Sequence, residues 1–331
     1  MIDYPLYFMM SPAFFERNPP MQSGDDWRPF GDWPSLMHLL SVSLAEAGVP
    51  VQSISSMPKE GVVIAHTGDL NLHSPPPPGV YLVCYQGDWE RSLWAHEHIV
   101  ANHFQATCSS LTRADRLFGV GLRYHLPFIP EPRLTPRSQE RGDRFEQIAY
   151  MGTPYNLIPE LQTVQWTERM KKLGLIFHVE SDVSKHGDYT DVDAIVAVRP
   201  SDRNPNQKFA NKLWNSWRAG VPAILGPEPG FQEARIGSLD YMEAANADEI
   251  YEALSTLAKH PDLRRQMIAN GHSRCHECSK ETIVNLWIEH LKKGMRQSYF
   301  SWRNQKTPWK LLDQSKRLLR YRIKTLRAGQ S

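Results

Sequence analysis

Basic residues cluster in a segment whose pattern is that of a strand, a loop and a helix. The apolar run 194–198 leads into Arg199 and a polar loop, and then into Lys208-Phe-Ala-Asn-Lys212. Free N–H groups at a helix start attract an anion, and Arg199, Lys208 and Lys212 supply formal positive charge beside them. The segment therefore predicts a phosphate site that fits a diphosphate. The alternative is that these cations form the solvated face of an ordinary α/β unit.

The residues after Lys212 continue as half of a nucleotide-binding domain. A helix with helical apolar spacing ends at Gly220, and a second apolar strand follows at 221–225. We expect the base, ribose or sugar to be read just beyond this strand, with Glu233 as the preferred hydroxyl binder. The candidates there are Glu228, Phe231, Gln232 and Glu233. The chain has no G-x-G-x-x-G after its first strand and no P-loop, which disfavours a cofactor-dependent enzyme with doubly wound domains.

The block from Lys208 to Glu233 resembles the donor half of a GT-B glycosyltransferase. Further stretches, at 83–102, 127–130, 141–145 and 149–152, resemble the bacterial surface-polysaccharide members of that group, and the similarity covers most of residues 60–290. The resemblance adds Gly152, Asn211 and Asn215 to the donor-binding residues. It implies a nucleotide-diphosphate sugar as donor substrate, a glycan or lipid-linked acceptor, no tightly bound cofactor and no required metal.

The chain departs from the retaining members of that group at two positions. Those enzymes hold the donor with two glutamates eight positions apart, and counting back from Gly220 places Asn215 and Gln207 there. Amides hydrogen-bond hydroxyls but carry no negative charge to stabilise an oxocarbenium-like transition state. The loop 152–156 also lacks a cation. A catalytically silent GT-B-like binding or scaffold protein is therefore the alternative function.

Alternating strand and helix patterns predict two Rossmann-like, doubly wound α/β domains that face each other across a cleft. We expect an acceptor domain at 1–130, a proline- and charge-rich linker at 131–145, a donor domain at 146–290 and a basic helical extension at 291–331. Helices are expected near 34–47 and 89–103. Strands are expected near 5–10, 50–54, 61–66, 80–85, 104–108, 124–129, 147–151, 174–180, 194–198, 222–225 and 240–244.

The first half holds the candidates for a general base toward an acceptor hydroxyl. An inverting transfer needs one such group, and whether this chain inverts or retains stays open. The candidate loops are 23–33, 66–69 and 87–88. Their candidate bases are Asp32, His66, Asp69 and Asp88. Loop aspartates serve equally well as caps and turn formers, so the structural alternative stands for each one.

Metal binding is not predicted from the cysteine and acidic motifs. Cys275 and Cys278 lie near His272, but a structural zinc takes four ligands and the chain has no second cysteine pair. Asp191-Val-Asp193 has the form of a metal-binding Asp-x-Asp, yet it immediately precedes a strand, where aspartates serve turns. Neither motif implies a divalent metal.

Composition predicts a cytoplasmic globular protein. The 331 residues are 41% hydrophobic and 22% charged, with no apolar run of membrane-spanning length and no signal-peptide pattern at the start. Cys84 and Cys108 are expected to be small buried side chains. His96 and His98 are expected on the surface of the helix predicted at 89–103.

The last forty residues are strongly basic. From Leu291 onward there are twelve Lys/Arg and one acid, a net charge of +11, whereas the other 290 residues carry −9. Apolar residues at helical spacing lie among these cations. The segment 295–331 therefore fits a basic helix on an anionic membrane, at the inner face of the membrane. The alternative is a helix that packs on the first domain, and no nucleic-acid-binding module is present.

Overall fold

The computed structural model describes residues 2–17, 33–87, 89–107, 121–127, 129–131, 133–202 and 205–328. These residues form two compact units. The first unit combines the described residues up to 127 with those from Ile283 onward, and the second unit comprises the described residues from Ile129 to Thr282. The domain bounds predicted from the sequence are 1–130, 131–145, 146–290 and 291–331.

The first unit is built on a six-stranded, wholly parallel sheet in the order β2-β1-β3-β4-β5-β6. Its strands are β1 Leu6–Met9, β2 Val51–Ile54, β3 Glu60–His66, β4 Gly79–Gly87, β5 Glu97–Val100 and β6 Leu122–His125. The central strands β3 and β4 are buried almost throughout. Near-continuous apolar runs of this kind are expected where helices cover both faces of a parallel sheet.

The second unit has a five-stranded parallel sheet in the order β11-β10-β9-β7-β8. Its strands are β7 Gln147–Met151, β8 Ile176–Glu180, β9 Ala194–Ala197, β10 Ala223–Leu225 and β11 Met242–Glu243. The chain adds β8 on one side of β7 and then returns to add β9 on the other side. The strand order therefore reverses between β7 and β9, which creates a topological switch point where ligands bind in open α/β sheets.

Helices cover both sheets. In the described part of the chain they are α1 Pro12–Arg17, α2 Trp33–Glu46, α3 His103–Ala106, α4 Val164–Lys172, α5 Asn211–Ala219, α6 Pro229–Ala234, α7 Ala247–Lys259, α8 Pro261–Arg274, α9 Lys280–His290, α10 Arg296–Arg303 and α11 Thr307–Ala328. A π-helical turn, Leu291–Met295, joins α9 to α10. None of the helices in the described ranges is both long and apolar enough to cross a bilayer.

The sequence prediction was wrong in one region of the first unit. The predicted helix at 89–103 contains β5, and the strand predicted at 104–108 begins as the short helix α3, which Asn102 caps. The polar residues of this stretch, which are buried in the structure, led to the wrong prediction. His98 is 1% exposed and lies on β5, within 3.0 Å of the Ser92 carbonyl, whereas it had been placed on a helix surface. His96 directly precedes β5, and its Nδ1 accepts a hydrogen bond from the Leu82 N–H.

The stretch predicted as a linker packs within the second unit. Arg137 and Arg141 both bind the buried carboxylate of Asp193, with Arg141 Nη2 2.7 Å from Oδ2. The same carboxylate accepts hydrogen bonds from the backbone N–H groups of Glu146 and Gln147 at 2.9 Å each. Asp193 therefore fixes the entry into β7, which is a different role from the simple turn formation expected for it.

The end of the chain completes the first unit. Trp287 is fully buried, stacks on Tyr85 with ring centroids 6.1 Å apart, and donates a hydrogen bond to the Pro127 carbonyl at 2.8 Å. Tyr299 is 2% exposed and contacts Tyr4 at 5.4 Å. Helices α9 and α10 therefore belong to the core of this unit, while α11 continues along its surface.

Candidate functional site

Four residues gather at the switch point of the second sheet. Gly152 follows β7, Arg199 follows β9 and Glu228 follows β10, while Lys212 lies in the first turn of α5. Parallel strands bring their carboxyl ends to one edge, and the helix that follows β9 begins there. The N-cap of α5 is Ala210, which has no side-chain cap, so its first-turn N–H groups add partial positive charge to this edge.

Lys212 reaches across to the end of β7. Its Nζ donates a hydrogen bond to the Met151 carbonyl and lies 5.0 Å from the centroid of the Tyr150 ring. Desolvation by burial, with repulsion from Arg199, lowers the pKa of Lys212 to about 8. Gly152 makes room for this contact, because a Cβ there would lie 3.3 Å from Nζ. The lysine is thus held in place in a tight, partly desolvated position.

Arg199 and Glu228 form the second element of the site. Arg199 Nε lies 3.1 Å from Oε1 of Glu228, whose side chain is only 4% exposed. Burial raises the pKa of Glu228, and the neighbouring Arg199 opposes that rise. Arg199 Nη1 is buried and has no hydrogen-bond partner within the described residues. A buried N–H group of this kind is a donor that a bound anion can satisfy.

The local charge balance favours an anion. Lys208, in the loop before α5, adds a third cation whose charge lowers the pKa of both Lys212 and Glu228. Gly230 allows this loop to approach, because a Cβ there would collide with the Lys208 carbonyl. Three cations face one carboxylate, so the cluster carries an excess of two positive charges. A diphosphate matches that excess in charge.

The other donor-side candidates differ in their burial and in their hydrogen bonds. Asn211, the first residue of α5, has a buried Oδ1 that lacks a hydrogen-bond partner among the described residues. Asn215 likewise has a buried Oδ1 without a hydrogen-bond partner among the described residues. Phe231 is 3% exposed and packs on Tyr241, so its ring is closed to a ligand. Gln232 donates to Glu243 at 3.1 Å, and Glu233 is exposed on α6.

The first unit has a switch point of its own, between β1 and β3, and two of the predicted bases lie there. Asp69 Oδ1 accepts the N–H of Ser11 at 3.1 Å. His66 is 2% exposed, and its Nδ1 accepts the N–H of Gly68 at 3.1 Å. An amide only donates, so the neutral imidazole carries its proton on Nε2. Asp32 and Asp88 lie outside the described residues.

No protein-family model and no curated protein sequence matches the chain. Several solved structures do match it. Sucrose-phosphate synthase from Thermosynechococcus elongatus matches with a TM-score of 0.53 at 12% identity, over 89% of this chain and 99% of that one. Anabaena HepE, in complex with UDP and glucose, gives 0.51 at 12%, over 88% and 100%. Pneumococcal O-GlcNAc transferase GtfA, in complex with UDP and GlcNAc, gives 0.50 at 13%, over 78% and 60%, so this chain spans less than two thirds of GtfA.

The decisive observation is that two of these matches cover nearly the whole of both chains and include both parallel sheets. The chain has the GT-B fold. The α/β prediction with a C-terminal helical extension is confirmed. At 12–13% identity the likeness establishes the fold alone.

The structure also shows where the acidic and cysteine motifs of this GT-B chain lie. In the described part of the chain, no group of three or more His, Cys, Asp or Glu side chains could hold a metal ion. Asp193, in the Asp-x-Asp motif, is committed to two arginines. Cys84 is fully buried on β4, as predicted, and Cys108 lies outside the described residues.

Sequence reasoning missed Tyr150, whose ring lies beside the Lys212 ammonium. Its hydroxyl donates to the Thr153 carbonyl at 3.2 Å, and burial raises its pKa to about 12. The signal was available, because alternate residues of a strand share a face and Tyr150 stands two positions before Gly152. The aromatic ring and the glycine therefore shape the same wall of the site.

Proposed function

We propose that this chain is a glycosyltransferase that takes its sugar from a nucleoside diphosphate sugar. The observation that carries the proposal is the cluster of Arg199, Lys208 and Lys212 at the switch point of the second unit. Its net positive charge, its partly desolvated lysine and the buried Nη1 of Arg199 suit a diphosphate. The sugar is then positioned near the loop that follows β10.

The catalytic contribution of this cluster is charge stabilisation. Cleavage of the glycosidic bond leaves negative charge on the diphosphate, and fixed cations at that position stabilise the leaving group. Side-chain cations supply this charge directly, so the reaction proceeds without a divalent metal in this proposal. Adding a chelator such as EDTA is expected to leave transfer unchanged, and loss of transfer that Mg²⁺ or Mn²⁺ restores would contradict this part.

In the first unit, His66 and Asp69 are the acceptor-side candidates. Because Nδ1 of His66 accepts the Gly68 N–H, the ring's other nitrogen, Nε2, is the one that carries the proton and is not free to act as a base in this arrangement. Asp69 thus remains the simpler candidate for general base. Resemblance to surface-polysaccharide enzymes supports a glycan or lipid-linked acceptor, and the basic segment 295–331 supports an acceptor at a membrane surface.

The experiment is a comparison of nucleotide binding and donor turnover. Wild-type protein is screened by thermal shift and calorimetry against UDP, GDP, dTDP and CMP and their sugar conjugates, and nucleotide release from the bound sugar donor is then followed. We expect one nucleotide to bind, and Arg199→Ala and Lys208→Ala to weaken it. Arg265→Ala is the matched control, since Arg265 lies on the same unit in exposed ion pairs with Asp143 and Asp262. Unchanged binding in both site variants would refute the phosphate site.

A second candidate function is a binding or scaffold protein without turnover. It is favoured by Asn215 and Gln207, the amides that counting back from Gly220 places where the resembled retaining enzymes have two donor-binding glutamates. Nucleotide binding without donor hydrolysis or transfer to any acceptor would favour this candidate over the enzyme.

A further inference from the structure

Helix α11 has two faces of different chemistry. One face contacts the first unit: Arg317 donates a hydrogen bond to the Ala95 carbonyl, and Tyr321 packs on Trp94 with ring centroids 5.7 Å apart. Lys310 lies 4.8 Å from the ring centroid of Trp302 on α10, which extends the same contact toward the helix start. Positions 310, 313, 317 and 321 recur at helical spacing, so this face is fixed to the protein.

The opposite face of α11 exposes large apolar side chains. Trp309, Leu312, Leu319 and Leu326 are 59%, 44%, 50% and 69% exposed. Their spacing of three, seven and seven residues places them along one stripe of the helix. Leu311 and Leu318, 57% and 42% exposed, widen it. Scattered single hydrophobics are common on protein surfaces, but a continuous stripe of this kind marks an interaction site.

Basic side chains border this stripe. Lys316 and Arg322 are exposed. Lys316 lies three or four residues from Leu312 and Leu319 on the helix, and Arg322 lies three or four residues from Leu319 and Leu326. The chain from Leu291 onward carries a net charge of +11. A surface that is apolar along its centre and basic at its margins complements one that offers hydrocarbon beneath anionic headgroups.

We propose that α11 docks in the plane of an anionic lipid bilayer, with Leu312, Leu319 and Leu326 inserted below the headgroups and Lys316 and Arg322 on the lipid phosphates. A 22-residue helix is about 33 Å long and lies flat in this arrangement. The packed face, through Arg317 and Tyr321, transmits the docking to the first unit. Helix α11 is thus a rigid attachment, held along its length.

Other occupants fit the surface less well. A second copy of α11 would bring two strongly basic helices together, and their charges would repel. A nucleic acid would satisfy the cations but leave the leucines in water. Only a bilayer satisfies both groups at once. Docking would bring a lipid-linked acceptor to the enzyme, and to that extent it deepens the proposed function.

The test is vesicle co-sedimentation of the full chain without donor or acceptor. We expect binding to mixed phosphatidylcholine and phosphatidylglycerol vesicles, weaker binding to pure phosphatidylcholine, and partial loss as salt is raised from low to high concentration. The triple variant Leu312→Ser, Leu319→Ser, Leu326→Ser should bind at least about tenfold more weakly, because each leucine contributes apolar area to insertion. Lys316→Glu with Arg322→Glu should also weaken binding to the anionic vesicles.

Matched controls come from the second unit. Val164→Ser, Ile176→Ser and Ile236→Ser remove three apolar side chains of similar exposure, 78%, 57% and 81%, and should leave vesicle binding unchanged. Lys172→Glu with Lys259→Glu is the control for charge reversal. The substituted residues are exposed, so circular dichroism and thermal unfolding should match the wild type.

Two results would overturn the proposal: failure of the wild type to bind anionic vesicles, or equal binding by the leucine variant. Self-association that the leucine variant abolishes, with no vesicle binding, would assign the stripe to contact between copies and would also overturn it. Nucleotide binding is measured in parallel, so a failure of membrane docking is distinguishable from a failure of the proposed function.

Discussion

Arg199 and Glu228 follow neighbouring parallel strands, and their side chains meet as an ion pair of 3.1 Å at the edge where the cations collect. Because Nη1 of the same guanidinium is buried without a hydrogen-bond partner in the described ranges, Arg199 has one donor committed to the protein and another suited to a ligand. Glu228 therefore holds the arginine in place and also competes with an anion for it.

This competition predicts opposite effects of two substitutions on the binding of inorganic pyrophosphate. Arg199→Ala should weaken binding by about tenfold to a hundredfold, which corresponds to one hydrogen bond to a charged group. Glu228→Gln should strengthen binding, because the carboxylate charge is removed while an acceptor for Arg199 remains. Isothermal titration calorimetry measures both. If both variants weakened binding equally, Glu228 would be a ligand-binding residue and not a competitor.

The depressed pKa of Lys212 predicts a pH dependence for the same ligand. In the free protein this pKa is about 8, so the ammonium is charged below pH 8 and loses its proton above it. The contribution of Lys212 to pyrophosphate affinity should therefore be greatest below pH 8 and fall by up to about tenfold per pH unit above it, and titration of the ligand itself is common to the two proteins compared. Lys212→Arg keeps the charge and should abolish this fall. An identical profile in the two proteins would mean that another group titrates.

Substitution of Gly152 should reduce ligand affinity selectively. Its φ of +154° is rarely adopted by other residues, and an added Cβ would lie 2.9 Å from the Tyr150 hydroxyl and 3.3 Å from Lys212 Nζ. Gly152→Ala should cost about 1–3 kcal/mol of stability through backbone strain and should displace the lysine as well.

The matched control for this strain is Gly174→Ala. Gly174 has φ +70°, and a Cβ there meets no atom within 4 Å. This variant should lose stability by a comparable amount in urea unfolding while keeping pyrophosphate affinity. Equal affinity in both glycine variants would contradict a role for Gly152 in positioning Lys212.

Substitution of Asp193 should have a large effect on the free energy of unfolding. Its carboxylate receives two arginines and two backbone N–H groups, and its side chain is fully buried. Asp193→Ala should lower the free energy of unfolding by about 3–5 kcal/mol, because it removes the buried carboxylate that Arg137, Arg141 and two backbone N–H groups share. The control is Asp191→Ala, whose side chain is 83% exposed and should change stability by less than about 0.5 kcal/mol.

The same carboxylate gives a second, pH-dependent readout. Burial alone would raise the pKa of Asp193, but the bonds from Arg141, the backbone and Arg137 outweigh it, so the folded-state pKa is lowered. A lowered folded-state pKa means that the stabilisation is present above the unfolded value of about 3.9 and is lost as pH falls through the folded-state value. Asp193→Asn should remove this loss between neutral and acid pH. If the wild type and the Asp193→Asn variant unfolded in acid with equal steepness, this prediction would be contradicted.

Much of the fold was predictable because central parallel strands are continuous apolar runs. The predicted strands at 61–66, 80–85, 147–151 and 194–198 all overlap observed ones, and Gly220 ends α5 in a left-handed conformation as expected. Strand β5 was missed because Glu97 and the histidines around it look solvent-facing in the sequence. Glu97 is fully buried against His290, 193 residues away, and no local pattern reveals such a partner.

The candidate site was predictable in its charges and less so in its contacts. Arg199, Lys208 and Lys212 could be proposed from the sequence because a strand-loop-helix pattern fixes which residues reach the sheet edge. The buried state of Phe231 could not be read in the same way, because it depends on Tyr241 from the next strand region. Cation type and spacing are local properties, whereas the orientation of a ring depends on the assembled core.

The first unit needs residues from both ends of the chain. Trp287 and Tyr299 fill its core, yet they are synthesised after the whole of the second unit, which is contiguous from about residue 129 to 282. During synthesis on the ribosome, the second unit can therefore reach its native state first, while the earlier sheet waits with an incomplete core. For this chain the usual amino-to-carboxyl order of domain folding is reversed, and the interval before α9 emerges is the period in which the first sheet most needs protection from aggregation.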